Sequence, residues 1–269
     1  YTLYKSATSL PLFALNVRSK LKQLDLDCLH SHLYGPIVAM SMACWLARIK
    51  HVGTLHDIYM IEESPKRIYL LKLATILKTR LIAVSNNMRE FYITSGISPN
   101  QIKVIANFSP NQKPSMPRNI IRQELGLHDD DLVVINVARL VPLKRHDLLI
   151  KAIPMLSSDK CVKVIIAGDG PEKNQLDDII EKSNLSSQVL ILGERHDIPD
   201  LLNAADIFVL VSDSEGMSRS ILEAFQSGLP VVATQVGGNS DLIKHQVNGL
   251  LVPPGDAHKI AEAIDVLVL

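Results

Sequence analysis

The chain has 269 residues, of which 47% are hydrophobic and 21% are charged, a balance that supports one large core or two modest ones. This composition excludes a disordered chain, and the longest apolar run, residues 37–47, contains Ser41 and falls short of the ~20 residues of a membrane-spanning helix. The formal charge is zero, but residues 1–110 have an excess of Lys and Arg and the remaining residues an excess of Asp and Glu.

The three cysteines, Cys28, Cys44 and Cys161, are scattered in apolar surroundings without the spacing of metal ligands. This pattern is typical of reduced core cysteines in a cytosolic protein, so neither a disulfide nor a zinc site is predicted. The chain opens at Tyr1 without an initiator Met or a signal-peptide layout, and it closes in an apolar helix, 261–269, that has no cap. We therefore expect a chain that is truncated at both ends.

Apolar runs typical of strands alternate with helical patterns along the chain, which predicts parallel sheets with helices on both faces. In the first half, the predicted elements are strands at 27–31, 51–55, 81–84 and 102–105, and helices at 36–49, 65–79 and 85–96. The helix at 65–79 mixes an apolar stripe with four cations, Lys66, Arg67, Lys72 and Lys78. This basic helix could lie on a lipid surface or pack its apolar stripe on the sheet.

A segment rich in Pro and Asn, residues 107–117, separates the two halves and is typical of an interdomain linker. In the second half, the predicted elements are helices at 119–125, 172–183 and 219–227, and strands at 132–137, 162–167, 189–192, 207–211 and 231–234. The patterns therefore predict two α/β domains, at 1–109 and 118–269, joined by a linker at 110–117.

Two carboxylates, Glu215 and Glu223, flank a predicted junction between a strand and a helix. Gly216 and Ser218 indicate a tight turn just before that helix. Open α/β sheets bind ligands at the carboxyl ends of parallel strands, and the free amides of a helix N-terminus suit an anion. Carboxylates there can accept hydrogen bonds from sugar hydroxyls, although an isolated glutamate is more often a solvated helix residue.

With seven residues between the two glutamates, this block resembles the E-x7-E signature of retaining glycosyltransferases of the GT-B fold, glycosyltransferase family 4 or glycosyl transferases group 1. The resemblance implies two Rossmann-like domains facing across a cleft, with the N-terminal domain incomplete in this chain. It also implies that Glu215 binds hydroxyls of the donor sugar and that Glu223 binds the ribose of the nucleotide. Met217 and Ser218 replace the usual Phe-Gly, so the backbone of Gly216, Met217 and Ser218 remains available to the donor while the pocket wall differs.

Arg139 and Lys144 lie five positions apart in the loop after a predicted strand, and both can reach one phosphate group. The resemblance implies that they bind the donor diphosphate and stabilise the leaving nucleotide, so that no metal is required. Ala138 and Arg145 replace glycines in this loop, and Arg145 is either a further phosphate ligand or a bystander. The acidic run 129–131 is typical of a solvated turn, so no metal site is predicted there.

His56 ends a predicted strand and precedes Asp57, and the family has a His-Asp pair at this place. The resemblance implies that His56 approaches the donor sugar and the reacting centre without acting as a covalent nucleophile. His30 and His32 could line the acceptor side, although histidines at strand ends are often structural. No carboxylate with ligand spacing accompanies the three histidines, so a metal site is not predicted.

Gly168 opens the sequence Gly-Asp-Gly-Pro, which follows a predicted strand but lacks the third glycine of a dinucleotide-binding fingerprint. Because this sequence is frequent in the family, a structural turn beside the nucleotide is favoured. Arg195 lies in a segment that resembles the one receiving the base. Gly237 and Gly238 match the family's Val-Gly-Gly segment, where the backbone could approach the donor phosphates.

The resemblance thus predicts a metal-independent glycosyltransferase that moves a sugar from a UDP-, GDP- or ADP-sugar to a hydroxyl of a saccharide or lipid-linked acceptor, in bacterial polysaccharide, lipopolysaccharide or glycolipid synthesis. Catalysis would rest on His56, Arg139, Lys144 and Glu215, without a cofactor. We expect a cytoplasmic protein whose basic N-terminal half could contact the inner face of the cell membrane, and no nucleic-acid partner. A sugar-nucleotide epimerase of the same architecture and a non-catalytic nucleotide-sugar-binding subunit are the alternatives.

Overall fold

The computed structural model describes residues 10–158 and 160–268. The chain divides into two compact units, Tyr1–Ala106 (unit 1) and Asn107–Leu269 (unit 2), and each is built around one parallel sheet flanked by helices. The α/β class predicted from the alternating patterns is confirmed. Of the predicted terminal features, Tyr1 and Leu269 lie outside the described residues.

Unit 1 holds four parallel strands in the order β1-β2-β3-β4. Consecutive strands of unit 1 are joined by helical connections, as parallel pairing requires. In chain order, the elements of unit 1 are α1 (Leu10–Gln23), β1 (Cys28–His32), α2 (Tyr34–Ala47), β2 (Lys50–Leu55), α3 (Tyr59–Glu63), α4 (Ile68–Ile76), β3 (Thr79–Ala83), α5 (Asn86–Thr94) and β4 (Ile102–Val104).

Unit 2 holds six parallel strands in the order β10-β9-β8-β5-β6-β7. In chain order, its elements are α6 (Arg118–Glu124), β5 (Leu132–Val137), α7 (His146–Ala152), β6 (Val162–Ala167), α8 (Lys173–Lys182), β7 (Val189–Gly193), α9 (Ile198–Ala204), β8 (Ile207–Leu210), α10 (Arg219–Gln226), β9 (Val231–Thr234), α11 (Asn239–Leu242), β10 (Leu250–Val252) and α12 (Ala257–Val268).

The sheet of unit 2 separates two apolar cores. Along β5, Leu132 and Val134 face one core, whereas Val133 and Ile135 face the other, because successive side chains of a strand point to opposite faces. A parallel sheet covered by helices on both sides therefore needs strands that are apolar at nearly every position. This requirement explains why the predicted strands at 132–137, 162–167 and 231–234 match the observed ones residue for residue.

The order of the strands in unit 2 reverses at β5. The chain proceeds from β5 to β6 and β7 on one side, then returns to place β8, β9 and β10 on the other side. Open α/β sheets bind ligands at such a switch point, in the crevice outside the carboxyl ends of the two diverging strands. The loops that follow β5 and β8 are therefore the expected location of a binding site.

The predicted helix at 65–79 is wrong in extent. A 3-10 turn occupies Pro65–Arg67, α4 ends at Ile76, and β3 begins at Thr79. Lys78 between them has a positive φ of 69°, which ends the helical path and turns the chain into the strand. Helix α1 and strand β10 were not predicted, the latter because three residues are too few to show an alternating pattern.

Residues 107–117, predicted as part of a linker, contain neither helix nor strand and belong to unit 2, whose boundary follows Ala106. The backbone amides of Ser115 and Met116 both donate to Asp200 Oδ1, at 2.5 and 2.9 Å. This segment is therefore held along the surface of unit 2 by specific hydrogen bonds.

Candidate functional site

Two loops of unit 2 carry most of the predicted site residues. The β5 loop (residues 138–145) holds Arg139 and Lys144, and the β8 loop (residues 211–218) holds Glu215. Because β5 and β8 pair in parallel, both loops leave the sheet at the same edge. The backbone N–H of Asp213 donates to the carbonyl of Leu143 at 2.9 Å, which joins the two loops directly.

Lys144 and Glu215 form an ion pair between these loops. Lys144 Nζ lies 2.5 Å from Glu215 Oε1, and only 17% and 9% of the two side chains are exposed. The hydroxyl of Ser212 donates to the same carboxylate oxygen at 2.6 Å. A predicted phosphate-binding cation and a predicted hydroxyl-binding carboxylate are thus in direct contact, although 71 positions separate them in the sequence.

The turn after β9 supports the backbone of the β8 loop. A Cβ added at Gly237 would lie 1.8 Å from the carbonyl oxygen of Glu215, and Gly237 has a positive φ of 45°, so only glycine fits. Gly238 N donates to that carbonyl at 3.2 Å, and the hydroxyl of Thr234 donates to the carbonyl of Ser212 at 2.6 Å. Gly237 and Gly238 therefore pack closely on the Glu215 loop, and their predicted approach to the donor phosphates stays a prediction.

Helix α10 begins directly after the β8 loop. Ser218 is its N-cap, with extended φ and ψ, and its hydroxyl accepts from the backbone N–H of Ile221. Gly216, Met217 and Ser218 are all buried, and 9% of Met217 is exposed. The Ser at the position where glycine is usual in the family thus supplies a cap to the helix.

Glu223 lies one turn further along α10 and is partly buried, with 27% of its side chain exposed. The hydroxyl of Ser109 donates to Glu223 Oε1 at 3.0 Å. Arg219 Nη2, one helical turn earlier, lies 3.7 Å from the same oxygen. The carboxylate is therefore held from two sides through one of its two oxygens.

The side chain of Arg139 is exposed and makes no hydrogen bond or ion pair with the described residues, whereas its carbonyl accepts from the backbone N–H of Val141 at 2.9 Å. Its loop is shaped by the glycine turn after β6. A Cβ added at Gly168 or at Gly170 would lie 1.9 Å or 2.3 Å from the carbonyl oxygens of Ala138 and Leu140, respectively. Gly168 forms an isolated bridge with Gly193, and together with Gly170 it allows the backbone on both sides of Arg139 to approach, while a turn beside the nucleotide stays a prediction.

Arg145 has a positive φ of 49° at the N-terminal end of α7, a conformation that favours glycine. Its guanidinium pairs with Asp147 at 3.0 Å and with Asp213 at 3.2 Å, and the hydrogen bond to Asp147 is the main reason that the pKa of Arg145 is raised. Of the two interpretations left open by the sequence, these ion pairs favour a structural role over a phosphate ligand.

Arg195 is likewise engaged within unit 2. Its guanidinium donates to both oxygens of Asp197, at 2.8 and 2.5 Å, and to Glu124 Oε1 at 3.2 Å. The hydrogen bond with Asp197 chiefly raises the pKa of Arg195 and lowers the pKa of Asp197. The side chain therefore ties the loop after β7 to the end of α6.

His56 lies in unit 1, directly after β2, and its Nε2 is 2.9 Å from Nδ1 of His32 at the end of β1. The two rings stack with centroids 5.2 Å apart, and His30 lies 4.3 Å from His32 on the same strand. Burial, followed by the neighbouring His32, lowers the pKa of His56. Within residues 10–158 and 160–268, no group of three or more His, Cys, Asp or Glu side chains is arranged to hold a metal ion.

Sequence reasoning missed three polar residues of this region, Ser212, Ser109 and Asn107. Ser212 precedes Glu215 by three positions, a spacing at which its hydroxyl can bond to the carboxylate across a turn. Ser109 and Asn107 had no local signal, because their partners lie more than a hundred positions later in the chain. The sequence around them shows only the Pro and Asn content of a connecting segment.

Residues 117–269 match the family described as glycosyl transferases group 1, and residues 1–109 match the family described as glycosyltransferase family 4. The Escherichia coli UDP-Gal:alpha-D-GlcNAc-diphosphoundecaprenol alpha-1,3-galactosyltransferase is 30% identical over 91% of this chain and 67% of its own length. The Bacillus anthracis N-acetyl-alpha-D-glucosaminyl L-malate synthase is 27% identical over 96% of this chain and 70% of its own length.

Among solved structures, that of Anabaena HepE in complex with UDP-glucose is similar to this chain with a TM-score of 0.82 and 30% sequence identity. The similarity covers 94% of this chain and 72% of HepE. A sucrose-phosphate synthase from Thermosynechococcus elongatus, 21% identical, shares the fold with a TM-score of 0.80.

Proposed function

The chain belongs to the glycosyl transferases group 1 family and is a glycosyltransferase of the predicted GT-B fold class, and we propose that it moves a sugar from a nucleotide diphosphate sugar to an acceptor hydroxyl with retention of configuration. The observation that carries this proposal is the contact between Lys144 and Glu215 at the carboxyl ends of β5 and β8. A cation and a carboxylate placed together can bind the two chemically different parts of such a donor, its phosphates and its sugar.

Lys144 is suited to share its charge between Glu215 and the donor. An ammonium group has three N–H donors, and one of them is used by Glu215. The other two can bind diphosphate oxygens, with Arg139, which is exposed on the same loop, as the second cation. Together they would stabilise the negative charge that develops on the leaving nucleoside diphosphate, the role that a metal ion has in other enzymes.

Glu215 is suited to orient the sugar. Its Oε1 accepts from Lys144 and Ser212, whereas Oε2 makes no hydrogen bond with the described residues. A fixed carboxylate with one oxygen available can accept a hydrogen bond from a sugar hydroxyl. Since binding energy at such hydroxyls aligns the reacting carbon, Glu215 would contribute positioning rather than covalent chemistry.

His56 would act from unit 1 as a neutral imidazole. Burial, followed by the neighbouring His32, lowers the pKa of His56, which favours the neutral form of its imidazole. A neutral ring can donate or accept a hydrogen bond at a sugar hydroxyl. This role remains an expectation from the family resemblance.

The relatives guide the choice of substrates. The Escherichia coli relative is named for a UDP-Gal donor and a lipid-linked GlcNAc diphosphate acceptor, and HepE was solved with UDP-glucose. We therefore propose a UDP-sugar as the first donor to test, followed by GDP- and ADP-sugars, and a saccharide or lipid-linked acceptor in bacterial polysaccharide, lipopolysaccharide or glycolipid synthesis.

The proposal is tested by incubating the protein with each donor, with and without acceptor, and analysing products by mass spectrometry and by NMR of the anomeric proton. Lys144→Ala and Glu215→Gln should each reduce transfer by about 100-fold or more, the usual effect of removing one group that stabilises developing charge. Lys151→Ala, which removes a lysine paired with Asp147 on the exposed side of α7, is the matched control and should leave transfer unchanged.

Three results would contradict this function. Isomerised donor in the absence of acceptor would indicate an epimerase. Donor binding without any product would indicate a non-catalytic subunit, especially if His56→Ala left donor binding unchanged. An inverted anomeric product would refute retention while leaving sugar transfer in place.

Peripheral membrane contact is a separate proposal that rests on α4. No helix among residues 10–158 and 160–268 is long and apolar enough to cross a membrane. One side of α4 is buried, but Tyr69, Leu73 and Ile76, which share the opposite side, are 67%, 41% and 73% exposed. Exposed apolar side chains beside Lys66 and Lys72 are typical of a helix that binds an anionic lipid surface.

Co-sedimentation with vesicles of phosphatidylcholine alone and with added phosphatidylglycerol tests this contact. Binding should require the anionic lipid and should be lost in the double variant Tyr69→Ser, Ile76→Ser. Val247→Ser in unit 2, at a position that is 78% exposed, is the matched control. Equal recovery with both vesicle types would contradict the proposal.

A further inference from the structure

The first residues of unit 2 contact both parts of the E-x7-E block. Asn107 Nδ2 donates to the carbonyl of Met217 at 3.1 Å, and Ser109 Oγ donates to Glu223 Oε1 at 3.0 Å. In return, Gln226 Nε2 donates to the carbonyl of Ser109 at 2.7 Å. Three hydrogen bonds therefore fasten residues 107–109 (the entry segment) to the start and to one side of α10.

This arrangement fixes the hydroxyl of Ser109 in two ways. Glu223 and Gln226 lie three positions apart on α10, so they share one side of the helix. Gln226 holds the backbone of Ser109, and Ser109 is 8% exposed, so water has little access to its hydroxyl. A hydrogen bond from a buried hydroxyl to a carboxylate is among the stronger ones in proteins, because the acceptor is charged.

The contact leaves the carboxylate of Glu223 half available. Ser109 and Arg219 both approach Oε1, whereas Oε2 makes no hydrogen bond with the described residues. Since 27% of the side chain is exposed, a ligand can reach it. A carboxylate anchored through one oxygen is pre-organised to accept a hydrogen bond at the other, which spares the loss of side-chain freedom on binding.

We propose that Ser109 is a positioning residue that orients Glu223 toward the ribose hydroxyls of the donor nucleotide, so that the entry segment is part of the donor site. The inference rests on the proposed function, in which Glu223 binds the ribose. Asn107 assists by holding the carbonyl of Met217, the residue that precedes the α10 cap.

The experiment measures nucleotide affinity by titration calorimetry. UDP, GDP and ADP are titrated into the unaltered protein, and the one that binds most tightly is compared with its 2′,3′-dideoxy analogue. The ratio of the two dissociation constants, here called the ribose preference, reports the hydroxyls alone, because base and phosphates are the same in both ligands. A merely structural role of Ser109 would weaken both ligands equally and leave this ratio unchanged.

The unaltered protein should show a ribose preference of about tenfold or more, in line with a hydrogen bond to a charged group. Glu223→Gln and Ser109→Ala should each reduce that preference to near unity, and Ser109→Thr, which keeps the hydroxyl, should restore it. Ser115→Ala is the matched control, because this serine lies exposed in the same irregular segment, residues 107–117, and its side chain makes no hydrogen bond with the described residues. The ribose preference should persist in this variant.

The failures can be told apart. Loss of the preference in Glu223→Gln with full retention in Ser109→Ala overturns the positioning role of Ser109 and leaves the proposed function intact. Equal weakening of both ligands in Ser109→Ala also overturns it. If no nucleotide binds, or if the unaltered protein does not distinguish the two ligands, the ribose role of Glu223 fails and this inference fails with it.

Discussion

Replacing Lys144 by Met removes the charge that faces Glu215 and keeps the length and apolar volume of the side chain. The carboxylate, 9% exposed, would retain only the hydrogen bond from Ser212. Removing one partner of a buried ion pair typically costs about 3–5 kcal/mol, because the remaining charge is left uncompensated. Since Lys144 is 17% exposed and Ser212 still donates, we expect a cost just below this range, roughly 2–3 kcal/mol at pH 7.

For a domain of this size, that loss corresponds to a decrease in melting temperature of about 4–12 °C. Scanning calorimetry of the whole chain measures it. Trp45, the single tryptophan of the chain, lies in unit 1, so its fluorescence reports the melting of that unit and serves as an internal control that should not change. The double variant Lys144→Met, Glu215→Gln should recover most of the loss, since both charges are then absent.

The reasoning depends on a coupling between the two residues. A double-mutant cycle should give a coupling free energy of about 2 kcal/mol. A coupling free energy near zero would show that the pair behaves as a solvent-exposed one and would refute the argument from burial. A loss of unfolding free energy smaller than about 0.5 kcal/mol for Lys144→Met would have the same meaning.

Three further outcomes follow from the structure of unit 2. Gly237→Ala would place a Cβ 1.8 Å from the carbonyl of Glu215, so we expect about 2–4 kcal/mol of destabilisation and loss of nucleotide binding, measured by urea denaturation and calorimetry. Arg122→Met removes a guanidinium that is 3% exposed and bonds to Asp206 and several carbonyls, so unfolding in urea should become easier by about 3–5 kcal/mol. Burial, followed by nearby Lys144, lowers the pKa of His146 in the folded chain to about 4. As the pH falls below about 6.5, His146 therefore becomes protonated in the unfolded chain before it does in the folded chain. Stability should therefore decrease by about 3 kcal/mol between pH 6.5 and 4, and His146→Leu should remove that part of the decrease.

Each of these predictions has a result that would contradict it. Gly228→Ala is the control for the glycine variant, because Gly228 has a φ of 74° but no atom within 4 Å of the added Cβ, and equal effects at both positions would mean that the contact with Glu215 is irrelevant. An Arg122→Met variant as stable as the unaltered protein would show that water replaces the guanidinium. An unchanged pH dependence in His146→Leu would exclude His146 as its source.

The strands predicted from short apolar runs agree with the structure because burial of a strand depends on the residues of that strand itself. Residues 132–137 and 162–167 are runs of apolar, mostly β-branched residues, and a strand buried on both faces admits little else. Helix α1 shows the converse. Phe13, Ala14, Val17 and Leu21 follow a helical period and pack against α2, a signal that was present in the sequence and was missed.

The roles of single side chains were less predictable. Arg145 and Arg195 had the charge expected of phosphate or base ligands, but acidic partners in nearby loops engage both of them. Lys144 and Arg139 lie in the same β5 loop as Arg145, but Glu215 pairs with Lys144, whereas the side chain of Arg139 is exposed. Which cation is paired internally and which is exposed depends on neighbours that the local pattern does not contain.

The sequence by itself determined the α/β class, the positions of the central strands and the chemical types gathered in the E-x7-E block, because apolar period and residue spacing are properties of short stretches. Only the tertiary structure decided that β8 lies beside β5, which brings Lys144 to Glu215, and that the chain entering unit 2 crosses α10, which brings Ser109 to Glu223. Strand order and loop paths result from how whole helices and sheets bury their apolar faces together, and that packing is not encoded in any one segment.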